Sequence, residues 1–115
     1  MHKLPVVVMR ATGRREARVI DNRKLLAFWT LAQVGNFTET GRLLGLMQSA
    51  VSQAIIGLEN DVGAPLFRRH GRRSTLTKAG RVLLPHAEAI LGEMHSIRES
   101  MRTASEEAGR GDAER

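Results

Sequence analysis

Residues 37–61, FTETGRLLGLMQSAVSQAIIGLEND, decide the fold of this chain. Their pattern predicts a short helix, a tight turn at Gly45, and a longer helix from about Gln48 to Asp61. Val51, Ile55, Leu58 and Val62 recur at spacings of four, three and four, which puts them on one buried stripe of the longer helix. The opposite, leading face carries Gln48, Ser49, Ser52 and Gln53. Two helices joined steeply by a brief turn make a helix-turn-helix, whose second helix lies in the DNA major groove while the first crosses the backbone. A polar helix face in isolation is usually just solvated. In this motif its short or flexible groups face base edges and phosphates, and Gln48 and Gln53 are the candidate base readers because Gln can pair bidentately with adenine.

Within the shorter helix, Thr38 is the expected N-cap and a candidate DNA contact, and Leu43, Leu44 and Leu46 are the apolar anchors. Gly41 costs about 1 kcal/mol relative to Ala in a helix interior. That cost predicts a close approach of the following helix at this point.

Upstream, Asp21 or Asn22 can cap a helix over residues 23–34. Leu25, Phe28, Trp29 and Ala32 share one of its faces, and Gly35 suits its C-terminal end. The aromatic residues there are expected to pack rather than to stack on bases. Downstream, Leu66-Phe67 and Ser74-Thr75-Leu76 read as two short strands around a basic Gly turn, a β-wing over about 65–76. Its arginines, Arg68, Arg72 and Arg73 above all, are candidate DNA contacts able to meet phosphates or enter a minor groove.

Thr77 can cap a last helix over 78–104. Leu83, Ala87, Ile90, Met94, Ile97 and Met101 alternate spacings of four and three, the seam of a helix made to pair with another. Pro85 predicts a bend near Arg81. Residues 105–115, polar and Gly-containing, are expected to be disordered, and residues 1–20 to form a disordered basic arm. The apolar run from Leu4 to Met9 is too short for a secretory segment, and no stretch is long enough to span a membrane.

Composition narrows the function. A chain of 115 residues has room for one modest core. It has no Cys, and its four His (His2, His70, His86 and His95) fall singly. Disulfides and thiolate metal sites are thereby excluded, no metal or cofactor is expected, and no nucleophile, base and orienting group can be assembled into an enzyme site. The net charge of +6 is unevenly spread: +4 over residues 1–20, +3 over 21–77 and −1 over 78–115. Basic charge stops where the last helix begins, which separates a phosphate-facing body from a partner-facing helix.

From Leu25 to about Leu91 the chain resembles the N-terminal domain of the LysR-type transcriptional regulators. The resemblance rests on Phe28, Gly35, Phe37-Thr38, Leu44, Gln48, Ala50, Ser52, Ile55, Leu58-Glu59 and the run GAPLFRRHGRRSTLTKAG at 63–80. It implies a mainly α fold: a winged helix-turn-helix of three helices and a two-stranded wing over 21–77, followed by a long linker helix that dimerises. It also implies that Gln48, Ser49, Ser52, Gln53 and a wing arginine, Arg72 or Arg73, face DNA. The family usually has Ser at Met47, Pro at Ser49 and Arg at Gln53, and basic residues where this chain has Ile56 and Gly57. Its recognition helix therefore carries no Lys or Arg.

Family members continue into an effector-binding domain, and no small-molecule effector site is expected within these residues. The expected function is a cytoplasmic, nucleoid-associated bacterial regulator. It would bind a pseudo-palindromic operator in double-stranded DNA as a homodimer joined through the linker helix. The alternatives are an interaction protein that forms mixed dimers with a full-length relative, or a non-specific architectural DNA binder.

Overall fold

The structure, a computed structural model, describes residues 19–113. The expected basic arm lies almost wholly outside them. Within the described residues four helices and one hairpin follow in order: α1 (Asn22–Val34), α2 (Phe37–Leu44), α3 (Gln48–Val62), β1 (Phe67–His70), β2 (Arg73–Leu76) and α4 (Lys78–Ala113). The strands are antiparallel, with Phe67 opposite Leu76, Arg68 opposite Thr75, Arg69 opposite Ser74 and His70 opposite Arg73. This is the winged helix-turn-helix expected from the sequence, with a long helix appended.

α1 is the central element, touching α2, α3, α4 and β2. Being surrounded, it buries more than one narrow stripe: Leu25, Ala27, Phe28 and Leu31 are all buried, while Trp29 and Ala32 are only half-buried. Val51, Ile55 and Leu58 of α3 join this core, with Phe37 from α2, Leu66 and Ala87 from α4. The Phe28 and Phe67 rings meet at 5.5 Å between centroids and tilt by 56°, which ties the wing to α1. Val62, expected on the α3 stripe, is 36% exposed because the helix ends there and the chain turns away at Gly63.

The N-terminal caps agree with the sequence at α1 and α4 and differ at α2. Asp21 caps α1, its carboxylate accepting from the Arg23 amide, and the Thr77 hydroxyl accepts from the Gly80 amide at the start of α4. α2 is capped by Asn36, whose side chain accepts from the Glu39 amide at 2.8 Å. Thr38 is not the cap but lies inside the first turn. The aromatic Phe37, read as preceding the helix, is its first residue, and its ring is drawn into the core.

Two glycines are required by proximity. A Cβ on Gly41 would stand 2.6 Å from the Leu46 carbonyl oxygen. The close neighbour is thus the backbone of the inter-helix turn rather than the crossing of α3. A Cβ on Gly80 would collide with the Leu66 carbonyl, so this glycine lets α4 start against the end of the α3–β1 connection.

α4 departs most from expectation. Its 36 residues span about 54 Å at 1.5 Å per residue. The helix continues across Pro85 without interruption at the bend expected near Arg81. Pro85 and Arg81 are both exposed, so the backbone bond that Pro85 cannot donate is lost on the outer side of the helix. The helix also runs to Ala113, through nine residues of the tail expected to be disordered. Glu and Ala favour the helix there, and Arg102 pairs with Glu99 and Glu106 across single turns.

Candidate nucleic-acid interface

α3 begins at Gln48, where the sequence places the start of the recognition helix. Met47 stands at its N-cap with extended backbone angles and makes no side-chain cap hydrogen bond. Gln48, Ser49 and Gln53 are exposed and Ser52 is half-buried, so the polar leading face is open as expected. Met47 and Ile56 flank it, 77% and 57% exposed. The outward face of α3 therefore carries hydrogen-bonding and apolar groups but no cation.

The wing supplies the cations. Arg68, Arg69, Arg72 and Arg73 are all exposed, and none forms an ion pair among the described residues. Their settings differ. Alternation along β1 puts Arg69 on the same side as Phe67, facing the body, and Arg68 on the other side with His70. Arg69 places its guanidinium 4.3 Å from the centroid of the Phe37 ring. Arg73 reaches back so that one terminal nitrogen would lie 3.6 Å from a Cβ on Gly35. That places its charge at the C-terminal end of α1, the favourable end for a cation. Arg72 sits at the turn, and the His70 ring lies 3.2 Å from the Thr75 hydroxyl on the outer face.

Between the wing and the helix-turn-helix lies a cleft of about 510 Å³. Asn36, Phe37, Thr38 and Glu39 from the start of α2, Gln48 from α3, and Arg69, Gly71 and Arg72 from the wing line it. Thr38, Gln48 and Arg72 are thus brought together from three elements. Ser49, Ser52 and Gln53 continue along α3, and Arg68 and Arg73 stand elsewhere on the wing. Glu39, the one acid in the cleft, is paired with Arg42. The hydrogen bond from Arg42 holds its carboxyl below the usual value, so its charge is matched locally. Inside the cleft the Thr38 hydroxyl donates to the Gln48 Oε1 at 3.1 Å.

Asn36, Phe37 and Arg69 were not among the sequence-based site residues. For Arg69 a signal existed: it follows Phe67 by two, and strand alternation puts both on the inner face. The contact with Phe37, 32 positions earlier, could not be read from spacing.

The expected seam divides. Leu83 and Ala87 pack into the domain's own core, Met94 is half-buried, and Ile90, Ile97 and Met101 are 43%, 54% and 63% exposed. Asn22 Nδ2 lies 3.6 Å from the Met94 sulfur. No described helix is long and apolar enough to cross a membrane, and no described group of His, Asp or Glu could hold a metal ion.

Three close-packed helices, a two-stranded wing and an open second helix define a winged helix-turn-helix protein of the nucleic-acid-binding class. Residues 22–81 match the model of the bacterial regulatory helix-turn-helix proteins of the lysR family, and the chain belongs to that family. It is 43% identical over 82 residues to an uncharacterised HTH-type transcriptional regulator in the ibpB–leuC intergenic region of Azotobacter vinelandii, covering 71% of this chain and 57% of the relative. Among solved structures, a cysteine mutant of Corynebacterium glutamicum OxyR superposes with a TM-score of 0.72 at 30% identity, covering 75% of this chain and 28% of OxyR. The DNA-binding domain of CbnR, solved in complex with DNA, superposes with a TM-score of 0.69 at 29% identity, covering 74% of this chain and 98% of that domain. The relatives and the fold are those of transcriptional regulators, not enzymes.

Proposed function

We propose that this chain is a sequence-selective regulator that binds double-stranded DNA as a homodimer, with α3 in the major groove and the wing on the flanking backbone. The observation that carries this reading is the grouping of Thr38, Gln48 and Arg72 around one cleft, beside wing arginines that form no ion pair among the described residues. In this reading Gln48, Ser49, Ser52 and Gln53 touch base edges and phosphates, Arg68 and Arg72 neutralise phosphates, and Arg73 does so on swinging out from Gly35. Arg69 joins them at the inner edge.

The exposed residues Ile90, Ile97 and Met101 supply the homodimer seam, with half-buried Met94 beside them, while Leu83 and Ala87, expected in the seam, are used up inside the body. Dimer symmetry implies a pseudo-palindromic operator with half-sites spaced by whole helical turns. Action in the bacterial cytoplasm, at the nucleoid, follows from that role.

A second reading is favoured by the uncharged face of α3: the chain joins a longer relative through the α4 seam in a mixed dimer that binds DNA weakly. Titration of the purified protein against sequences selected from a random pool, and against scrambled versions, separates the two. Selective regulation predicts a preference of at least about a thousandfold at physiological salt. Equal, salt-steep affinity for both sets would instead identify architectural binding, and negligible affinity for either would favour the mixed dimer.

A further inference from the structure

Gln48 is not a free amide. Its Oε1 accepts from the Thr38 hydroxyl at 3.1 Å, across the angle between α2 and α3. Both residues are exposed on the wall of the cleft, and Thr38 sits in a first turn already capped by Asn36. The Thr38 side chain is therefore not needed to start its own helix. Gln reads adenine by accepting from N6 and donating to N7 with the two ends of one amide. In this protein one of the two acceptor positions of Oε1 is taken by Thr38, which turns the oxygen toward α2, whereas both Nε2 hydrogens are uncommitted among the described groups.

We propose that Thr38 is a positioning residue that sets the base preference of Gln48. By holding Oε1, it presents Nε2 outward as a donor, so that Gln48 favours guanine, with adjacent O6 and N7 acceptors, over adenine. This rests on the DNA-reading role proposed above. Turning the amide to meet adenine sacrifices the Thr38 hydrogen bond, which corresponds to roughly a fivefold shift in preference.

Base-resolved selection from a random pool, carried out with the full chain and with Gln48→Ala, Thr38→Val and Thr38→Ser, tests it. The position whose preference collapses in Gln48→Ala is the one Gln48 reads. There the unaltered protein should favour guanine over adenine by roughly fivefold. Thr38→Ser should keep that ratio, and Thr38→Val should bring it close to one. Adenine preference in the unaltered protein, or an unchanged ratio in Thr38→Val, overturns the inference. So does a uniform loss across all sequences in Thr38→Val, which would make Thr38 a phosphate contact. If the unaltered protein enriches no sequence while Gln48→Ala behaves identically, the reading role of α3 itself fails. That outcome is distinct from a protein that selects DNA without the help of Thr38.

Discussion

α3 and α4 are built on the same spacing and meet opposite fates. On α3, Val51, Ile55 and Leu58 repeat at four and three, and all are 3% exposed or less. On α4 the same alternation begins in the core with Leu83 and Ala87. It then runs beyond the body, leaving Ile97 and Met101 more than half exposed. A stripe of this kind states only that a helix has an apolar side. Whether that side is covered depends on where the other elements end. α1 accompanies α3 along its stripe, whereas α4 outlasts every neighbour after about Met94. In the reading proposed above the two helices do different work: α3 spends its apolar side on folding and leaves its polar side for DNA, and α4 keeps apolar surface for a second chain.

The sharpest way to break this contrast is Ile97→Glu. Ile97 touches none of the core, so the monomer should unfold at the same denaturant concentration as the unaltered protein. A central apolar residue of a helical seam typically carries about 2 kcal/mol or more, so the dimer dissociation constant should rise by roughly thirtyfold. Sedimentation at several concentrations would read this directly. An intact dimer with Glu at this position would place the interface elsewhere and leave the outer half of α4 without a role.

The next test concerns the outward side of α3, which has no cation, and the wing beside it, which has four. If the wing supplies the charge that α3 lacks, Arg72→Ala combined with Arg73→Ala should weaken binding on the order of tenfold for every sequence. The slope of log affinity against log salt should fall by about two. Binding unchanged in both respects would remove the wing from the interface. A loss confined to one sequence would instead make one of these arginines a base reader.

Much of this division could be read before any coordinates were known. The start of α3 at Gln48, the wing around Gly71 and the apolar stripe of α4, buried at first and exposed further on, each follow from short-range spacing or turn chemistry. The cap of α2 did not, because Asn36 and Thr38 are both good capping residues two positions apart. Only the backbone angles decide between them. The helical end of α4 is not legible in its composition, because polarity and glycine point to disorder, whereas Arg102 stitches consecutive turns together. The cleft was legible in part. Thr38, Gln48 and Arg72 carry their chemistry in their identities, but the Thr38–Gln48 link and the seat of Arg69 on Phe37 are tertiary facts. No local pattern encodes them.

The smallest effect concerns how α3 begins. Met47 already has the extended φ of −70° and ψ of 152° that a capping residue adopts, yet its side chain accepts nothing from the first-turn amides. Met47→Ser should therefore add about 1 kcal/mol to folding stability without any backbone adjustment, visible as a higher midpoint in urea. Met47→Ala is the control: it removes the same exposed thioether, offers no acceptor, and should leave the midpoint nearly unchanged. If serine stabilises no more than alanine, water already satisfies those amides in the free protein, and the uncapped start costs α3 nothing. If serine does stabilise, then α3, anchored so firmly by Val51, Ile55 and Leu58 on its inner side, is weakest at the turn that holds Gln48, the proposed base reader.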